Sequence, residues 1–208
     1  MWCALAVAAW LAMPACAQSE YETRVLAALN ALRTDPAGYA ATLPAYRALF
    51  MGKIVRLPGL LLQTSEGVAA VDDTIAFLAR QAPVAPLAPA ELLRAAAGDH
   101  AAEQAASGAT GHAGPDGARA ADRVQRRGGG PFVAEVIVYG PADPTDAIRQ
   151  LVVDDGVPGR GHRAILFTPE MRFAGIACGP HPTFREMCVI DLGLMDDGTH
   201  PEGLQPAR

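Results

Sequence analysis

The sequence predicts an α+β sandwich built as one domain, and three observations carry that prediction. Apolar residues recur at intervals of three and four in several stretches, the signature of amphipathic helices. Three shorter runs are β-branched and apolar, and two of them face each other across a turn-rich loop. Helices and the strand pair also occupy separate parts of the chain, which suits segregated layers better than alternating β and α units. A chain of 208 residues, 50% apolar and 19% charged, is ample for one core of ordinary size.

The first 17 residues are nearly uncharged and rich in Ala, Leu, Val and Trp. Their apolar core, about 11 to 13 residues, is too short to cross a bilayer. Ala15-Cys16-Ala17 is a small-residue site of the kind that ends a secretory signal, so the mature chain is expected to begin near Gln18. Met13-Pro14-Ala15-Cys16 offers a second reading, a lipoprotein site with lipid on Cys16. Either way the expectation is a secreted or periplasmic protein that is not transmembrane.

In the mature segment, residues 21–32 carry Val25, Leu26, Leu29 and Leu32 at helical spacing, and Pro36 ends the run. Residues 37–43 can form a further helical turn. Residues 43–62, punctuated by Pro44, Gly52, Pro58 and Gly59, are expected to be loop and short turns. Ser65 and Glu66 signal a helix start, followed by Val68, Val71, Ile75 and Leu78. Residues 81–89 hold three prolines and must be extended, with Pro89 placed to open the next helix. That helix runs to Ser107-Gly108 and sets Leu93, Ala97 and His100 on one stripe.

A Gly-rich passage, residues 110–117, precedes a short helix over 118–127 that Gly128-Gly129-Gly130 closes. Residues 132–139 are expected to be a strand with one inward acid, Glu135. Asp143-Pro144 starts a helix whose apolar face, through Ile148, Leu151 and Val152, projects onto Asp155. Residues 172–178 and 186–192 are expected to pair as a hairpin around a loop at 179–187, and the chain ends in a polar tail from Met195. The domain is expected to span residues 18–194.

Cys178 and Cys188 flank the hairpin loop. Cysteines facing across a hairpin can meet disulfide geometry, and an exporting route would let the bond persist. A free buried pair or a metal pair is the alternative, although the spacing far exceeds the gaps of a zinc knuckle.

Several chemistries are poorly served. Lys and Arg total 17 against 22 Asp and Glu, so there is no electrostatic footprint for nucleic acid. No basic amphipathic run suggests a membrane-surface helix. The three serines, Ser19, Ser65 and Ser107, lie at a terminus, a cap and a helix end, with no Gly-x-Ser-x-Gly elbow. The glycine triplet lacks the Lys-Ser/Thr of a phosphate loop.

Of the five histidines, His112 and His162 both follow a glycine in a loop. With Glu135 they can hold Zn²⁺ and leave a position open for water. The competing reading is a buried hydrogen-bond cluster without metal. His100 is expected to be a satisfied core histidine, and His181 and His200 exposed bystanders. The densest gathering of acid, imidazole and guanidinium is Asp154-Asp155-Gly156-Val157-Pro158-Gly159-Arg160-Gly161-His162-Arg163, in which Arg163 is expected to be structural, its guanidinium pairing with a nearby acid such as Asp154.

Taken in order, Leu29-Asn30-Ala31-Leu32-Arg33, residues 93–101, Gly111-His112, Ala134-Glu135, Gly161-His162-Arg163, Gly175-Ile176-Ala177 and Cys188-Val189-Ile190-Asp191 resemble the CAP superfamily. This is the group of cysteine-rich secretory proteins, antigen 5 and pathogenesis-related proteins, also called SCP domains. The form is similar to its bacterial and lower-eukaryotic branch, and the resemblance covers residues 24–193. It implies an α-β-α sandwich with a small antiparallel sheet and a central cleft lined by two histidines and acids. His112, His162 and Glu135 match the family's positions, and Asp155, or Asp154, is nearest to its second glutamate. The family's Gly-Glu-Asn is Ala134-Glu135-Val136 here, and the Trp usual before the Gly-His loop is absent.

The resemblance implies a cleft that binds a ligand, with a divalent cation (Zn or Mg) on His112, His162 and Glu135. It also implies association with lipid or sterol, or with a cell-surface partner. The alternatives are a metal-assisted, peptidase-like hydrolase with Glu135 or Asp155 as the catalytic base, and a non-catalytic structural or defence module.

Overall fold

The computed structural model describes residues 19–57, 60–141 and 143–201. The expected leader, its cleavage site and Cys16 lie outside the described residues. At the centre is a four-stranded sheet in the order β4-β6-β7-β5. β6 (Phe173–His181) and β7 (Arg185–Gly193) form the expected antiparallel hairpin, and β5 (Val133–Tyr139) pairs antiparallel with the other side of β7. The short β4 (Ala88–Pro89) joins β6 in parallel.

Strand periodicity sorts the side chains into two layers. Met187 and Val189 of β7, with Ile137 and Ala177, pack against Ala97 and Ala101 of helix α5 (Glu91–Ser107). Cys188, Ile190 and Leu192 point the other way into the main core. There they meet Val25, Leu29 and Leu32 of α1 (Glu20–Thr34) and Ile148, Leu151 and Val152 of α7 (Pro144–Val153). Helices therefore cover both faces, giving the α-β-α sandwich. Gly175 lets α5 close on the sheet: a Cβ there would sit 2.0 Å from the Arg94 backbone nitrogen.

Local sequence explains where the elements begin and end. Ser19 caps α1 and forms a reciprocal box with Glu22. Gly108, in the left-handed conformation, ends α5. α4 (Val68–Leu78) and α6 (Ala120–Arg126) fall where the apolar spacing puts them.

Residues 43–62 are more regular than expected. Beyond α2 (Pro36–Ala40) and α3 (Leu43–Arg47), the strands β1 (Phe50–Met51), β2 (Ile54–Leu57) and β3 (Leu60–Gln63) form a second antiparallel sheet. Pro44 opens α3, and Gly52, at φ 62°, turns β1 into β2; the punctuation marks turns between strands. Pro89 also departs from expectation. It lies in β4, between Ala88 and Ala90, whose N–H groups donate to Arg172 and Ala174. A strand residue whose own N–H is not required suits proline.

Cys178 and Cys188 stand directly opposite in the hairpin register and form a disulfide, with Cα atoms 4.1 Å apart. The strands run on to His181 and Arg185, so the loop is shorter than predicted. This overturns the exposed placement of His181. The turn folds its ring back beside Tyr139 and Phe184, and the side chain is buried against the Ala109 carbonyl. His200 is half-buried edge-on to Phe132. Residues 197 and 198 accept backbone hydrogen bonds from Gly130 and Phe132, which ties the start of the tail to the sandwich.

Candidate functional site

β5 is the terminal strand of the central sheet, and the two histidine walls meet beside it. One wall is the loop between α5 and α6. Buried His100 pairs through Nε2 with the Gly111 carbonyl at 2.8 Å and through Nδ1 with Glu103, the satisfied core role expected for it. Gln104 donates to the same carbonyl, and the Gly111 N–H donates to the Tyr139 hydroxyl. The backbone just before His112 is thus fixed from both sides. Its Nδ1 lies 2.9 Å from Oε1 of Glu135, while Arg123 of α6 donates to Oε2 at 2.6 Å.

The second wall is the loop leading into α8 (Gly161–Leu166). α7 stops at Asp154, which adopts φ 56° and turns its carboxylate under the start of α8. Asp154 accepts from the backbone N–H groups of His162 and Arg163 and meets Nδ1 of His162 at 2.7 Å. The two imidazole rings lie with centroids 6.4 Å apart and planes tilted by 45°.

Each pair has the same construction. The carboxylates are buried, 3% and 1% exposed, whereas the His112 and His162 side chains are 42% and 24% exposed. A carboxylate acceptor calls for a proton on Nδ1 of each ring, and the tautomer that supplies it leaves a lone pair on Nε2. Among the described residues neither Nε2 has a hydrogen-bond partner. Two oriented rings therefore stand side by side with their Nε2 atoms unengaged.

Behind His112 lies a buried acid pair. Asp191 stands directly across from Glu135 in the β5–β7 register and opposite Gly175 in β6. It is fully buried, and neither carboxyl oxygen meets a donor at hydrogen-bonding geometry. Burial first, then the Glu135 charge, push its carboxyl well above the ordinary aspartate range; Arg123 opposes them. Burial also pushes Glu135 upward, but the His112 hydrogen bond and the Arg123 charge outweigh it and hold that group below its usual value. Of two neighbouring carboxyls, the one touching His112 and Arg123 is held toward its charged form and the other is pushed toward its protonated form.

Three expected placements need correction. Asp155 does not join the histidines: it accepts from the N–H groups of Ser65 and Glu66. The left-handed residue at 154 breaks the helical projection that put Asp155 on the inner face. Asp154 takes that place. The Arg163 guanidinium does pair with a nearby acid, but that acid is Asp73 and not Asp154, and it also reaches Thr74 and the carbonyls of Val152 and Val153. Asp154 is already occupied by His162, and α7 presents its free terminal carbonyls to the arginine. Glu135 lies behind His112 with both oxygens engaged, and does not converge with the two rings as a third donor.

Arg123 and Asp191 were missed. Asp191 carried the same signal as Glu135, an acid within a β-branched run. Arg123 is one of several arginines around α6, and no spacing singles it out. A further clamp, also unanticipated, joins Arg160 to Glu66 at 2.6 Å and holds the Glu66 carboxyl down at about 2.

The donor set can be weighed against the implied cation. Among the described residues, no group of three or more His, Cys, Asp or Glu is arranged to hold a metal ion. His112 and His162 fit a two-point attachment in which the remaining positions belong to water or ligand. Imidazole nitrogen suits zinc and disfavours magnesium, which prefers oxygen.

A family model described as CAP, cysteine-rich secretory protein family, matches residues 26–192. A 1.5 Å crystal structure of an extracellular protein containing an SCP domain, from Bacillus anthracis str. Ames, is similar at 16% identity with a TM-score of 0.45. That likeness covers 60% of this chain and 37% of the other, so it spans little more than a third of that protein. No curated protein matches the chain. The family match begins within α1 and ends at the penultimate residue of β7, and it takes in both histidine walls and the acids behind them: the chain belongs to the CAP family, the cysteine-rich secretory protein family.

Proposed function

We propose that the chain is an exported CAP-domain protein whose cleft captures a ligand through His112 and His162, with a zinc-like divalent cation between ligand and protein. One observation carries this reading: two partly open rings, each oriented at Nδ1 by a buried carboxylate, stand with centroids 6.4 Å apart and with Nε2 atoms that have no hydrogen-bond partner among the described residues. A carboxylate behind a ligating histidine fixes its tautomer and raises its basicity. The cation would supply a Lewis-acid attachment point for an anionic oxygen of the ligand. His112 and His162 would hold it, while Glu135 and Asp154 orient the rings. The apolar leader and the disulfide support export. A hydrolase reading has no such support, because Glu135 and Asp154 use both oxygens on other partners and Asp155 is turned away.

Calorimetric titration of metal-free protein with Zn²⁺, beside Mg²⁺ and Ca²⁺, tests the reading. Zinc binding near neutral pH is expected, weakening on acidification through the imidazole range because protonated rings cannot ligate. Glu135→Gln and Asp154→Asn should each weaken zinc about 10- to 100-fold. No heat with zinc, or heat unchanged in His112→Ala, rejects it in favour of a cluster that only stabilises the fold.

A further inference from the structure

The second sheet carries a feature that the cleft does not use. Strand register places Met51 opposite Ile54 and Arg56 opposite Leu61, and the Arg56 N–H donates to the Leu49 carbonyl. Side-chain alternation therefore gathers Leu49, Met51, Ile54, Arg56 and Leu61 on one face. The opposite face holds Val55, which is fully buried, and its cross-strand partner Leu62, 37% exposed. On the gathered face Leu49 and Ile54 are each 38% exposed, Met51 53% and Leu61 68%. These are four of the seven exposed large apolar side chains among the described residues, three of them on the short strands and Leu49 just before β1.

The charge around this face is equally uneven. Residues 36–65 contain no Asp or Glu, within a chain whose formal net charge is −5. Arg47 is neutralised by Asp72 at 2.6 Å. Lys53, the chain's single lysine, lies exposed in the β1–β2 turn, and Arg56 is exposed among the apolar side chains. Neither is in an ion pair among the described residues. A patch of protruding apolar side chains with two unpaired cations, on an otherwise acidic protein, has the two components of peripheral membrane attachment.

We infer that the outward face of the β1–β2–β3 sheet docks on an anionic lipid surface, with Met51, Ile54 and Leu61 entering the interface and Lys53 and Arg56 meeting the headgroups. A second copy of the chain is the poorer occupant, because it would bring like charges together across an apolar contact. A folded protein partner is also disfavoured. The face offers a handful of side chains, whereas a standard protein interface uses roughly 20–30 residues a side. Insertion into lipid needs no such area, since each side chain and each cation contributes separately. The sequence concealed the patch because it is assembled by cross-strand pairing, not by a continuous basic amphipathic run.

The experiment is co-sedimentation of the mature protein with vesicles of phosphatidylcholine alone and of phosphatidylcholine with phosphatidylglycerol in equal parts, with light scattering of the protein without lipid. Binding to the anionic vesicles alone is expected, and it should weaken as salt is raised. Removing both cations in Lys53→Gln/Arg56→Gln should weaken binding about thirtyfold, each cation near an anionic surface being worth roughly a factor of five. Leu61→Asp should weaken it at least about tenfold. Both variants should keep the parent melting temperature, because these side chains are exposed, and should leave zinc titration of the cleft unchanged. Absence of binding to anionic vesicles, equal binding to phosphatidylcholine alone, or binding indifferent to both variants overturns the inference. A concentration-dependent dimer that Leu61→Asp abolishes would assign the face to a second copy instead.

Discussion

Replacing Arg123 with Met tests the charge arrangement behind the cleft most directly. The guanidinium is 2% exposed and donates to a Glu135 carboxylate that is 3% exposed, at 2.6 Å. Removing one member of a buried pair costs about 3–5 kcal/mol, because the other charge is left without compensation. Methionine also removes the Arg123 Nε–H, which has no partner in the parent, so some relief of about 1 kcal/mol is expected. The net loss at neutral pH should be about 2–4 kcal/mol, a drop on the order of 10 °C in melting temperature for a domain of this size.

The pH dependence identifies the cause. In the parent, Glu135 sits below its ordinary value, so its contribution is present above the unfolded-state pKa and fades as pH falls. Without Arg123, burial dominates and the folded-state pKa of Glu135 rises above the unfolded one. Its contribution is then intact below that unfolded value and lost as pH rises. Both effects make the variant's deficit largest near pH 7 and smaller near pH 4.5, as read from urea denaturation at each pH. Arg123→Met/Glu135→Leu should recover most of the loss, since an apolar pair replaces the ionic one. A deficit independent of pH, or a double variant no better than the single one, would refute this reasoning.

Asp191→Asn should become more stable relative to the parent as pH rises from 4 to 7: the raised Asp191 pKa gives stability that is complete below the unfolded value and lost above it, while asparagine has no proton to lose. Urea melts across that range check the sign. Arg163→Ala should cost about 2–4 kcal/mol by orphaning the carbonyls of Val152 and Val153, with zinc affinity almost unchanged; an unaltered melting temperature counts against the anchoring role. Cys178→Ser/Cys188→Ser, which opens a link of sequence separation 10, should lower stability by about 2–3 kcal/mol, and dithiothreitol should no longer affect its melting temperature.

The sandwich was legible because its long elements obey one period each. Val25, Leu29 and Leu32 mark a helix, and the run from Met187 to Leu192 marks a strand buried on both sides. His112, His162 and Glu135 were legible as residues too polar, or too well placed after glycine, for their surroundings. What escaped was set by single backbone angles and by pairing. A left-handed residue at 154 exchanged the roles of two adjacent aspartates. Strands of two to four residues are too short for periodicity to separate them from loop, so the second sheet was hidden. The neutral state expected of Asp191 depends on Glu135 and Arg123 standing beside it, an arrangement that exists only in three dimensions.

The place of the two histidine walls has a further consequence. β5 ends the central sheet, and a terminal strand offers its unmatched backbone as a template for another chain. α6 and α8, which carry Arg123 and His162, both pack against this strand. The groups that hold the histidines therefore also shield the exposed rim. Damage to either wall should open a route to intermolecular strand addition, so variants of Arg123 or Asp154 should be assessed for self-assembly by light scattering.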